Sequence, residues 1–211
     1  MSSIHYAQEY MSLSNLISPF NLCFITLDLI VGKGFQIHDQ SAIYFMTLTV
    51  VGWADIFTRK VHRDIMIDAI KFCQREKGLM VFAFVIMSNH VHLVCKSNSN
   101  DLSGAIRDLK RHTSKRITDQ IETNPKEKRK EWLKMVMKYH AKYNKRVNDI
   151  QLWTHFNHAV ELDNNFILDQ RMEYVHQNPV KAGIVKNAHE YIYSSASHYH
   201  GESCLIQIDE L

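Results

Sequence analysis

Two short apolar runs, Met80 to Met87 and His90 to Lys96, broken only by Ser88-Asn89, constrain this chain most. Val81, Phe82, Phe84, Val85, Ile86, Val91 and Val94 are the β-branched and aromatic residues that suit a pleated, packed surface. Ser88 and Asn89 are turn formers, so the stretch reads as two strands joined by a tight turn. Successive side chains on a strand point to opposite faces, which puts His90 and His92 on one face and Val91 and Leu93 on the other. Two imidazoles so placed are either half of a metal site or two polar positions on a wet face, and the spacing alone does not choose.

The surrounding pattern supplies a frame. Ile43 to Val51 reads as a central strand. Asp64 can cap a helix over Ile65–Lys77, with Ile65, Ala69, Ile70 and Cys73 at helical spacing and Gly78 as its stop. A second helix runs from about Asp101 to Ile121, its inner face formed by Leu102, Ala105, Ile106, Leu109 and Ile117. Arg107, Arg111 and Lys115 follow one another along that helix as a basic stripe beside the inner face. A further helix is expected through Trp132, Met135, Val136 and Tyr139, and Leu152 to Leu162 as a final strand or an ordered loop. A last helix spans Phe166 to about Asn178, capped by Asn164 or Asn165 and stopped by Pro179; Tyr191 to Tyr199 closes the core. Strand, helix, strand, strand, helix and strand in that order make an α+β split β-α-β sheet with helices on one face.

At 211 residues and 45% hydrophobic composition the chain can bury one proper core. Cys23, Cys73, Cys95 and Cys204 form no Cys-x-x-Cys pair, which argues against a zinc ribbon or disulfide scaffold and for a reduced, cytoplasmic setting. The apolar run Phe20 to Val31 is interrupted by Asp28 and is too short for a membrane span. The net charge of +3 is unevenly spread: 14 Lys and Arg against 6 Asp and Glu lie between Asp101 and Arg146. That imbalance suits a polyanionic partner met by one part of the molecule, or a highly charged solvated helix.

On the last helix, Leu168, Met172 and Val175 form the stripe that should be buried, and Arg171, Tyr174 and Asn178 lie on an adjacent face. Tyr174 and Asn178 sit one turn apart, and an Asn oxygen is a reasonable hard ligand to complete a site begun by two imidazoles. Gln177 could do the same, and both amides could instead cap the end of their own helix.

The segments Ser88-Asn89-His90-Val91-His92-Leu93-Val94 and Tyr174-Val175-His176-Gln177-Asn178-Pro179-Val180-Lys181-Ala182-Gly183-Ile184-Val185 together resemble the single-tyrosine HUH transposases, and within them the REP-associated branch. Asp39 to Thr47, Ile106 to Ser114 and Tyr193 to Ala196 resemble that branch too. The likeness runs from about residue 35 to the C-terminus; residues 1–34 lie outside it as an N-terminal extension. It implies a ferredoxin-like antiparallel HUH endonuclease domain that cuts and rejoins single-stranded DNA near hairpins, REP-like inverted repeats among them. It also implies His90 and His92 as metal ligands, Asn178 completing the shell, Tyr174 as nucleophile and Mg2+ or Mn2+ as the ion.

On this reading Arg107, Lys110, Arg111 and Lys115 contact DNA phosphates. The enzyme would be a monomer or homodimer acting on the nucleoid, with no membrane contact. A hairpin-binding protein without turnover, and a phosphodiesterase that uses water, are the alternatives. Of the remaining histidines, His158 is read as structural together with Glu161, while His5, His38, His112, His140, His198 and His200 suggest no constellation.

Overall fold

The computed structural model describes residues 36–142, 144 and 149–211; the N-terminal extension expected over residues 1–34 falls outside them. Strand β1 (Tyr44–Thr49) pairs antiparallel with β3 (His90–Ser97), which pairs antiparallel with β2 (Leu79–Ile86). A two-residue strand β4 (Val160–Glu161) lies on the other side of β1, giving the sheet order β2-β3-β1-β4. The turn between β2 and β3 is Ser88-Asn89, closed by Met87 N donating to His90 O at 2.9 Å.

Register fixes the faces. Thr49 stands opposite His90, Thr47 opposite His92 and Phe45 opposite Val94, so these six side chains share one side of the sheet. Met46, Leu48, Val91 and Leu93, all fully buried, make the other side. Helices α1 (Lys60–Lys77) and α2 (Leu102–Thr123) pack together over that apolar side, as a split β-α-β sheet requires. Helix α4 (Asn165–Lys181) lies against the histidine side, opposite the face that α1 and α2 cover in the split β-α-β arrangement. Leu152 to Leu162 is both of the things its sequence allowed. Trp153 bridges Val50, Thr154 N bonds Thr49 O and Asn157 O accepts from Thr47 N, but pairing becomes regular only at β4. The irregularity centres on His158, whose φ is +42°. Among the described residues no helix is long and apolar enough to cross a membrane.

Two helix boundaries differ from expectation for local reasons. Helix α1 starts at Lys60, so Asp64 is no cap; it accepts from Lys60 Nζ at 2.7 Å and from the Tyr193 hydroxyl at 2.8 Å. Asn164 does cap α4, accepting from Ile167 N, but Pro179 lies inside the last turn instead of ending it. The stop is Gly183 at φ +69°, where Gly183 N bonds Val180 O and Ile184 N bonds Pro179 O, the paired closure of a left-handed helix terminus. Helix α3 (Lys130–Lys142) forms where expected but buries Leu133, Met137 and Ala141, leaving Trp132, Met135 and Tyr139 exposed.

Ahead of α3, Glu127 is buried between Arg59 (3.0 Å) and Arg129 (3.1 Å). Burial alone would raise its carboxyl, but hydrogen bonds from the two guanidinium groups pull it down to about 2. A carboxyl depressed on folding adds stability above its unfolded value of 4.5 and loses it as pH falls towards 2. Glu127→Gln is expected to cost about 3 kcal/mol at neutral pH and to flatten the acid limb of the unfolding profile between pH 4.5 and 2, read by urea denaturation across pH.

Candidate active site

The two histidines occupy the start of β3 and differ in depth. His92 is 4% exposed, stacks on Phe45 at 5.3 Å and shares a hydrogen bond of 3.0 Å between its Nδ1 and Thr47 Oγ1. Its Nε2 is buried and has no hydrogen-bond partner. A polar atom in that state normally loses a hydrogen bond's worth of free energy, so it marks a place where a partner is expected to arrive. His90 is half-buried, its ring 4.6 Å from His92, and its Nδ1 lies 2.7 Å from Asn89 Oδ1. An acceptor on Nδ1 makes that nitrogen the protonated one and leaves Nε2 as the lone-pair atom. Burial pushes the His90 imidazole down to about 4, and burial reinforced by His90 and Arg171 holds His92 well below the usual imidazole value. Both rings are therefore neutral at physiological pH, the state that a metal ligand requires.

Helix α4 brings Tyr174 over this pair. The phenol ring stands edge-on to His92 at 5.2 Å and to Phe45 at 5.9 Å, within the same chain. Leu168, Met172 and Val175 are buried beneath it as expected, and His176 anchors the helix through its Nε2, 2.9 Å from Ser195 Oγ. Ser195 in turn bonds both Phe84 N and Phe84 O on the outer edge of β2, so the tyrosine helix is bolted to the sheet. Asn178 directs its Nδ2 to Tyr174 O at 3.1 Å, which leaves Oδ1 as the atom able to ligate. A divalent ion there would find a buried, partnerless imidazole nitrogen, a second oriented imidazole and an amide oxygen one helical turn from Tyr174.

Two cations to which the sequence assigned no role stand close by. Arg171 lies over the Phe45 ring at 5.0 Å, and Lys181 Nζ lies 5.6 Å from the Tyr174 ring centre. Arg171 shares a helix face with Tyr174 in the sequence, but its nearness to His92 depends on how α4 docks. The hydroxyls of the later tyrosines are spent elsewhere, Tyr191 on Ile86 O and Tyr199 on Phe82 O.

The basic residues of α2 separate into two kinds. Arg107, Arg111 and Lys115 are exposed along a cleft of about 580 Å³ between α2 and residues 150–155. Asp108 sits 3.1 Å from Arg111 and 3.8 Å from Arg107 without burying either. Lys110 instead turns inward, donating to Thr154 O at 2.8 Å and Asn157 Oδ1 at 2.7 Å, and burial lowers its ammonium to about 8. Lys110 is thus a strut for the edge of the sheet. Lys110→Met is expected to cost about 1–3 kcal/mol in urea unfolding, because two part-buried acceptors lose a charged donor. Arg111→Ala and Lys115→Ala are each expected to leave stability unchanged and to lower the salt dependence of single-strand binding by about one ion.

A second constellation escaped the sequence reading. His189, His200 and Glu202 hold their ligand atoms within 4.8 Å of one another, an arrangement capable of coordinating a metal ion. The two rings stack at 4.0 Å, and His200 Nδ1 lies 3.3 Å from Glu202 Oε1. No spacing rule links His189 to the other two; a short helical turn (Ala188–Glu190) and helix α5 (Ala196–Tyr199) bring them together.

Residues 42–137 match the family described as Transposase IS200 like. The match covers just under half of the chain. The matched stretch holds His90, His92 and the basic helix; Tyr174 and Asn178 lie beyond it. The fold is similar to the solved structure of a REP-associated tyrosine transposase bound to a REP hairpin, with a TM-score of 0.56 and 15% identity over 84% of this chain and 92% of that one. A putative transposase from Deinococcus radiodurans R1 aligns at 16% identity over 68% of this chain and 93% of that one, with a TM-score of 0.39. No curated protein sequence matches the chain.

Proposed function

We propose that this protein cuts and rejoins single-stranded DNA beside a hairpin, with Tyr174 as the nucleophile. The observation that carries the proposal is the phenol of Tyr174 standing 5.2 Å from His92, whose buried Nε2 has no partner. His90, His92 and Asn178 Oδ1 would hold a Mg2+ or Mn2+ ion, which would polarise the scissile phosphate and stabilise charge on its oxygens. Two imidazoles in the shell favour Mn2+ over Mg2+.

In the cutting step the Tyr174 oxygen forms a bond to phosphorus as the bond to the 3′ oxygen breaks. The phenol proton passes to solvent, the departing 3′ oxygen takes up a proton from solvent, and that strand leaves with a free 3′-hydroxyl. Arg171 and Lys181 place positive charge beside the reacting phosphate. The phosphotyrosine link keeps the energy of the broken phosphodiester, so a second 3′-hydroxyl can attack it, restore a DNA bond and release Tyr174 without a nucleotide cofactor. Arg107, Arg111 and Lys115 would neutralise the backbone of the strand lying along α2. A chromosomal hairpin target would place the protein on the nucleoid, and the pairing of Tyr174 with His92 in one chain lets a monomer carry a full site.

The test is a hairpin-bearing single strand labelled at its 3′ end and incubated with the protein and Mn2+. The expected result is a labelled band retained on the protein after denaturation, because the 5′-phosphate side of the cut stays on Tyr174. Binding without any cut would leave a hairpin-binding protein, and free labelled product with no adduct would leave a water-dependent phosphodiesterase.

A further inference from the structure

Trp53 is an exposed indole beside the histidine pair, and its backbone is in a conformation that tryptophan does not favour. It is 51% exposed, at φ +54°, in the short turn that follows β1. That left-handed region is entered cheaply by glycine, asparagine or aspartate, whereas a bulky side chain there is strained. The turn is nevertheless fixed from several sides. Gly52, at φ +61°, fits so closely under α3 that a Cβ there would stand 2.7 Å from Val136 Cγ1. Trp53 N bonds Val50 O at 3.2 Å, and Trp53 O accepts from Asn89 Nδ2 at 3.3 Å. Asn89 uses its other amide atom on His90 Nδ1, so one side chain ties the Trp53 backbone to the orientation of the His90 ring. The indole meets His90 edge-on, 6.5 Å between ring centres at 71°.

A large apolar ring held out in water, in a strained backbone and bonded to a site residue, gains nothing from burial in the free protein. Strain of this kind persists where the surroundings over-determine it, and it concentrates at binding sites. We infer that Trp53 is a stacking platform for one unpaired nucleobase next to the scissile phosphate. Its edge contact with His90 would place the stacked base one nucleotide from the reacting centre. Such stacking would set how the strand enters the site while tolerating any base, because every base presents a π-face. The inference rests on the proposed single-strand chemistry and adds to it a specific contact outside the reacting groups.

The experiment measures equilibrium binding with the full chain carrying Tyr174→Phe, so that no cutting intervenes. The probe is a fluorescein-labelled oligonucleotide with a short hairpin and mixed-sequence single-stranded flanks, at low salt. In a series of such probes each flank nucleotide in turn is abasic. One flank position should exist at which loss of the base weakens binding on the order of ten-fold. Trp53→Gly should show the same loss on the intact strand and no further loss at that abasic position, and Trp53→Phe should restore most of the affinity. Glycine accepts the left-handed backbone, so its thermal stability should match or exceed that of the parent; Trp53→Asn repeats the test should glycine loosen the turn. Equal binding of the intact strand by parent and Trp53→Gly, or abasic losses that are the same in both, would overturn the stacking role and leave the Tyr174 chemistry standing. Failure of both proteins to bind any probe would overturn both.

Discussion

Replacing Tyr174 with phenylalanine is expected to abolish the covalent protein–DNA adduct and to slow cutting by at least about a thousand-fold, on the scale seen when other enzymes lose their nucleophile. The substitution removes one oxygen and keeps the ring, so the edge contacts with His92 and Phe45 and the Lys181 ammonium over the ring all have a phenylalanine equivalent. Thermal stability should therefore stay within a few degrees of the parent, and single-strand affinity should be close to unchanged. The contrast between lost adduct and retained binding, read on a denaturing gel and by fluorescence anisotropy, is what assigns the oxygen a chemical role. Cutting that survives in the phenylalanine variant would transfer the attack to water and leave Tyr174 as packing. A glycine or alanine variant would be a poorer test, because it would also loosen α4 above His92.

Local pattern made the strands and the site's two halves readable. The runs on either side of Ser88-Asn89 carry their alternation within a few residues, so the shared face of His90 and His92 follows from chain geometry alone. The stripe Leu168, Met172, Val175 likewise orients α4 without reference to anything else. What escaped was set at a distance. Thr47 meets His92 only through the β1–β3 register, and Arg171 reaches His92 only once α4 has docked. Lys110 looked like its neighbours on a basic stripe, but its position one residue nearer the inner face turns its ammonium onto the edge segment at Thr154 and Asn157. Pro179 misled because proline is a sound stop signal in general, whereas a glycine in the left-handed conformation closed this helix. The sequence left the orientation of α3 open, because Leu133, Met137 and Ala141 form one apolar stripe and Trp132, Met135 and Tyr139 another; the first is the buried one. His189 and His200 belong to elements that come together only when the chain returns along the edge of β2 after α4.

His92→Ala is expected to eliminate Mn2+-dependent cutting and, in a separate measurement without DNA, to eliminate the stabilisation that Mn2+ confers on the fold. A ligand that binds only the native state raises the unfolding free energy with its concentration, about 2.7 kcal/mol at one hundred times its dissociation constant. On the proposed reading the neutral His90 and His92 nitrogens of the parent protein would offer such a site, and raising Mn2+ should shift the melting temperature progressively. The alanine variant loses the nitrogen that lies buried without a partner, together with the ring that stacks on Phe45. Its baseline stability should fall by about 1–3 kcal/mol from lost packing, an effect visible without metal and separable from the metal response. The cluster of His189, His200 and Glu202 is a second place where an ion could bind, so the same titration should be run on His200→Ala. If the shift disappears in His92→Ala and survives in His200→Ala, the stabilising ion sits on β3 beneath Tyr174. The opposite pattern would remove the ion from the reacting centre, and the partnerless nitrogen of His92 would then need another occupant.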